Sequence, residues 1–102
     1  MALATTLHIS QEDIASFCRR NQIKELALFG SVLRDDIRPD SDVDVLVDFE
    51  PNAGHSLFDF VWMQEELARL FGRKIDLVEK SGLLNPFRRY EILRTRQVIF
   101  AA

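Results

Sequence analysis

The chain of 102 residues has one cysteine, three prolines and four glycines. A lone cysteine, Cys18, excludes an internal disulfide and fits a reducing cytoplasm, the expected location. Beside Phe17 in a helical stretch, Cys18 reads as a packing residue. No apolar run approaches the ~20 residues that a membrane-spanning helix needs, so no membrane association is expected. The segment Met1–Thr6 has neither the basic flank nor the apolar core of a secretory signal. The Gly-x-x-x-x-Gly-Lys-Ser/Thr loop is missing, which argues against a P-loop fold. No Cys/His spacing suits zinc, and His8 and His55 read as surface residues. Internal repeats, low-complexity segments and long linkers are lacking too. One domain spanning residues 1–102 is expected.

What is present is an ordinary globular composition, 47% apolar and 28% charged. The net charge of −3 hides an asymmetry. Residues 1–66 carry five Lys/Arg against thirteen Asp/Glu, and residues 67–102 carry eight against three. This layout can hold a cation at one edge and an acidic partner at another. Arg88, Arg89, Arg94 and Arg96 crowd the tail, but only Phe87 and Tyr90 lie among them. Direct nucleic-acid binding is not expected, and an acidic partner surface or subunit contact is the preferred reading.

Along the chain, Ser10 can cap a helix that carries Ile14, Phe17 and Cys18 and ends near Asn21. Leu26–Phe29 reads as a buried strand, broken by Gly30-Ser31. Ser31 is expected to cap a single helical turn reaching about Asp35. Arg38–Ser41 reads as a turn, and Asp42–Phe49 as the clearest strand. Val43, Val45 and Val47 face one way; Asp42, Asp44, Leu46 and Asp48 face the other. Ser56 can cap a helix over Leu57–Phe71, with Phe60, Met63, Leu67 and Leu70 inward; Phe58 and Trp62 widen that core face, with a partner interface as the rival reading. Gly72 closes it. Lys74–Val78 is a third strand, containing Asp76. Asn85 and Pro86 open a helix over Phe87–Thr95, and Val98–Phe100 is a short last strand. The fold class is α/β, a small mixed sheet with helices packed on it. The long helix between the second and third strands makes those two parallel.

Ten residues separate Ser31 from Asp42. Side chains two apart on a strand share a face, with Cα atoms roughly 7 Å apart. Asp42 and Asp44 therefore project together, which is unfavourable unless a cation sits between them. Parallel pairing of the second and third strands adds Asp76, and the Gly-Ser turn borders the same edge. Three carboxylates beside a turn rich in N–H groups suit Mg²⁺ carrying a phosphorylated ligand.

Gly30-Ser31, the interval of ten, Asp42-Val43-Asp44-Val45 and the later Asp76 resemble the nucleotidyltransferase superfamily that includes DNA polymerase beta. The fuller string GSVLRDDIRPDSDVDVLVDFEP, with Arg34 and Ser41, resembles its smallest branch, the stand-alone minimal nucleotidyltransferases (MNT) encoded beside HEPN proteins in prokaryotic toxin–antitoxin pairs. The resemblance covers nearly the whole chain and implies the minimal polymerase beta-like fold. It implies that Gly30 and Ser31 hold the β- and γ-phosphates of ATP, with Arg34 as a further phosphate contact. It implies that Asp42 and Asp44 bind both metal ions and that Asp76 completes the catalytic metal site. The implied activity is Mg²⁺-dependent transfer of AMP from ATP to a tyrosine of a cognate HEPN RNase toxin, in a type VII-like pair. One departure is Asp35, where many members have a small residue. The chain also lacks the extra domain with which larger relatives hold the acceptor, so a partner or a second subunit of a homo-oligomer must hold it. Two other readings compete: a catalytically dispensable antitoxin that neutralises its partner by complex formation, and a small-molecule nucleotidyltransferase.

Overall fold

The computed structural model describes residues 9–33 and 41–102. The expectations for His8, Arg34, Asp35 and most of the Arg38–Ser41 turn lie outside the described residues.

Helix α1, Gln11–Arg20, is capped by Ser10, whose hydroxyl accepts from the Asp13 N–H. Strand β1, Ile23–Phe29, begins three residues earlier than the apolar run alone predicts. A 3₁₀ turn, Gly30–Leu33, follows. Strand β2 is Val43–Phe49, helix α2 Leu57–Phe71 and strand β3 Ile75–Glu79. A 3₁₀ turn, Lys80–Gly82, leads to helix α3, Pro86–Thr95, and strand β4, Gln97–Ala101.

The sheet order is β3-β2-β1-β4. β1 is antiparallel to both β2 and β4, whereas β2 and β3 are parallel. The fold is therefore the expected small mixed sheet with helices on it. Strand alternation divides the apolar residues between two faces. Leu26, Leu28, Val43, Val45, Val47, Ile75 and Leu77 join α1 and α2 in one core. Ala27, Phe29 and Leu46 join Leu83 and Ile92 of the α3 region in a second cluster. Cys18 is buried in the first core, and burial pushes its thiol up to about 12. It packs, as expected, and does not ionise near neutrality.

Helix α2 has a capping box. The Ser56 side chain accepts from the Asp59 N–H, and Asp59 accepts from the Ser56 N–H at 2.9 Å. These bonds hold the Asp59 carboxyl below its usual range. Gly72 ends the helix at φ 65°. One side chain of α2 also finishes the sheet: Gln64 Oε1 accepts the Leu77 N–H of edge strand β3 at 3.1 Å.

Two expectations are overturned here. Phe58 and Trp62 are not core: they are 73% and 64% exposed, and Leu57 and Val61 are exposed beside them. The buried face of α2 is Met63, Leu67 and Phe71, an i, i+4, i+8 line. The apolar stripe is wider than the sheet beneath it can cover, so one flank stays in solvent. His55 is not a surface residue, because its side chain is only 16% exposed. Its Nε2–H donates to the Asn21 carbonyl at 2.5 Å, and its ring lies 4.7 Å from that of Phe49. It ties the loop before α2 to the end of α1. Among the described residues, no helix is long and apolar enough to cross a membrane.

Candidate active site

Strand β1 ends at Phe29, which pairs across the ladder with Asp44 of β2. Asp44 in turn pairs with Asp76 of β3. In-register neighbours share a face, so the Asp44 and Asp76 side chains emerge together. That face is the one covered by α3, because Leu46 lies on the α3 side and the period along β2 is two. The backbone sets this register at the strand starts: the Val43 N–H donates to the Lys74 carbonyl at 2.9 Å. Arg73 Nη2 donates to the Ser41 carbonyl at 2.8 Å and holds the entry to β2. Asp42, exposed, sits at that entry.

Gly30 adopts φ 75°, a left-handed conformation that disfavours side chains. It also has no room for one. A Cβ at this position would lie well under 3.0 Å from Asp44 Oδ2. The Asp44 carboxylate therefore leans over bare backbone at the end of β1. Ser31 is half-buried inside the turn and does not cap it as expected, because the turn already begins at Gly30.

Asp44 is half-buried, and this pushes its carboxyl above the ordinary range. The negative charges of Asp76 and Asp42 push the same way, while Arg88 pulls against them. Arg88 was legible in the sequence only as one member of the basic tail. The fold brings it over the sheet in the first turn of α3, where Asn85 Oδ1 accepts from both the Phe87 N–H and the Arg88 N–H. Arg88 also lines a cleft of about 430 Å³ that includes Phe29, Gly30 and Leu33. Asn85-Pro86 marked where the helix starts, but no local pattern told which sheet face it covers. A larger cleft, of about 620 Å³, lies at the far end of β2 beside Phe49, His55 and Glu79, away from Asp42, Asp44 and Asp76.

All the candidate donors are carboxylate oxygens, which suit Mg²⁺ better than zinc. Among the described residues, no three Asp, Glu, His or Cys side chains form a ready-made cage. The expected trio of Asp42, Asp44 and Asp76 is thus not drawn into one ligand cluster; Mg²⁺ in general takes one or two protein carboxylates and completes its shell with phosphates and water. Asp44 fits the group: burial, and after it Asp76 and Asp42, disfavour its charge, which a cation would compensate. Arg34, the remaining expected contact, lies outside the described residues.

A mixed sheet with a Gly-Ser turn at one strand end and carboxylates at the starts of two parallel neighbours is an arrangement suited to a phosphorylated ligand that brings a cation. The chain belongs to the nucleotidyltransferase domain family, whose model matches residues 12–99. It is 46% identical over 61 residues to the protein adenylyltransferase MntA of Thermococcus cleftensis, a match covering 60% of each protein. It spans roughly three fifths to two thirds of the length of the curated relatives it matches. A solved structure described as a minimal nucleotidyltransferase is 37% identical, covers 84% of this chain and 85% of its own, and superposes with a TM-score of 0.69. The fold is also shared with a chain from the complex of a tri-AMPylated Shewanella oneidensis HEPN toxin with an MNT antitoxin. There the TM-score is 0.63 at 17% identity, over 90% of this chain and 70% of the other.

Proposed function

We propose that the chain, acting as a single minimal domain, is a Mg²⁺-dependent protein adenylyltransferase of the reducing cytoplasm and the antitoxin of a HEPN toxin. The observation that carries this reading is the Asp44 carboxylate, which leans over the bare backbone of Gly30 and whose pKa is pushed up by burial and, after it, by Asp76 and Asp42. Support also comes from the relative called a protein adenylyltransferase and from the neighbour taken from an AMPylated toxin–antitoxin complex.

In this reading Gly30 and Ser31 receive the outer phosphates of ATP, and Arg34 adds a positive charge. Asp42, Asp44 and Asp76 are the residues that would hold Mg²⁺, which supplies charge compensation to the phosphates and the leaving pyrophosphate. A tyrosine hydroxyl of the partner attacks the α-phosphorus in line. The new bond joins the tyrosine oxygen to AMP, and the bond to the β-phosphate oxygen breaks. In the same reading Asp76 accepts the hydroxyl proton, a role supported by its exposure on the edge strand. The test is incubation with Mg²⁺, α-labelled ATP and the cognate HEPN protein. Label is expected on the partner with the wild-type chain and lost with Asp42→Asn or Asp44→Asn. Full labelling by those variants would overturn the reading.

A second reading, neutralisation by complex formation alone, is favoured by the exposed Leu57, Phe58, Val61 and Trp62 of α2. It requires that the aspartate variants still silence the partner.

A further inference from the structure

We infer that the exposed face of α3 is the docking surface for the acceptor-bearing segment of the modified protein, and that this segment is amphipathic, with acidic and apolar side chains. The inference rests on the adenylyltransferase reading and adds to it where specificity lies.

Leu84 is 86% exposed, Phe87 84% and Tyr90 68%. Phe87 and Tyr90 are three residues apart on α3 and so lie on one helix face, with Leu84 just before its start. Such side chains so fully in solvent at a helix start are costly unless something covers them. The patch is joined to the candidate site through its chain neighbours. Leu83, next to Leu84, is buried with Phe29 and Leu46, which neighbour Gly30 and Asp44 along their strands. Arg88, next to Phe87, acts electrostatically on Asp44 and lines the cleft at Gly30. A segment lying on Leu84, Phe87 and Tyr90 therefore lies on the same helix that carries Arg88 over Asp44.

The charge on this face selects the occupant. Helix α3 carries Arg88, Arg89 and Arg94 against one acid, Glu91. Arg89 is committed to the Lys80 carbonyl at 3.1 Å, and Arg94 pairs with Glu91 within the helix. The excess is positive, and apolar side chains flanked by arginine complement an acidic, apolar segment. The α2 patch lies on the opposite face of the sheet, with α1 and α2 over the first core, and does not adjoin the carboxylate edge.

The experiment compares Phe87→Ser/Tyr90→Ser with Phe58→Ser/Trp62→Ser, using the cognate HEPN protein as probe. Three quantities are measured: partner affinity by calorimetry with nucleotide absent, the KM for partner in adenylate transfer, and affinity for ATP with Mg²⁺. The α3 variant is expected to weaken partner affinity, and to raise the partner KM, by on the order of tenfold or more. Its ATP affinity stays unchanged. The α2 variant keeps all three values. An α3 variant with wild-type partner affinity overturns the inference, as does an α2 variant that alone loses it. If the wild-type chain binds the partner but transfers no adenylate, the adenylyltransferase reading fails. The α3 inference is then judged on affinity alone, by the same criterion.

Discussion

The two ends of β2 carry the same residue type in opposite circumstances. Near its C-terminal end, Asp48 meets Lys80 Nζ at 3.6 Å. At its N-terminal end, Asp42 and Asp44 face Asp76, and among the described residues no ion pair serves any of the three. Both Asp44 and Asp48 project from the α3 side of one strand. One has a cation supplied by the fold; the other has carboxylate neighbours and a glycine cleared of side chain beneath it. A protein that keeps like charges together where it could compensate them does so for a ligand that brings the compensation. The contrast separates an aspartate with a cation supplied by the fold from one without, which composition cannot do.

The sharpest way to break that contrast is to remove each charge in turn. Asp44→Asn is expected to lower adenylate transfer at least a hundredfold, since a positioned charge at the reacting phosphate is lost. The melting temperature of the metal-free protein should nevertheless hold or rise, because the substitution removes a repelled carboxylate. Added Mg²⁺ should raise the wild-type melting temperature and leave that of Asp44→Asn unmoved. A destabilised Asp44→Asn would mean that this carboxylate is structural after all.

Gly30→Ala comes next. The new Cβ collides with Asp44 and adopts a left-handed backbone at a cost of about 1–2 kcal/mol. Transfer and denaturant stability should both fall, unlike the Asp44→Asn pattern.

Titration gives a smaller effect. The Asp44 pKa is raised on folding, so the folded state keeps its proton at a pH where the unfolded chain has released it. Stability of the metal-free protein is therefore expected to decline as pH rises from the ordinary aspartate range to the raised value, then to level off. Chemical denaturation across that window should show the decline in wild type and a flatter profile in Asp44→Asn.

The smallest effect belongs to the other end of the strand. Asp48→Asn removes a half-exposed pair worth less than about 1 kcal/mol. Transfer should stay within about twofold of wild type. A large loss of transfer would merge the two ends and remove the distinction.

Much of this was legible beforehand because the signals are local. Ser10, Ser56, Asn85-Pro86 and Gly72 mark helix ends through their own hydrogen bonds and backbone angles. Alternation along β2 put its aspartates opposite its valines. Errors arose where a neighbour decided the outcome. Phe58 and Trp62 look like core by helical spacing, but how much of a stripe is buried depends on the width of the sheet below. His55 looks like a loop histidine, yet Asn21, Asp59 and Phe49 enclose it. Ser31 looks like a cap, but the left-handed Gly30 starts the turn one residue sooner.

The sequence by itself determined which residues carry charge, where helices begin and end, and that Asp42 and Asp44 alternate along one strand after the Gly30-Ser31 turn. Those properties follow from residue chemistry and from the periods of helix and strand. Only the tertiary structure decided that the Asp44 carboxylate stands over Gly30 and that Arg88 opposes it. It alone decided that Asp48 is compensated by Lys80 and that Leu84, Phe87 and Tyr90 remain in solvent. Each of these depends on the register between strands and on where a helix crosses the sheet. Those relations join residues far apart in the chain, and no local pattern encodes them.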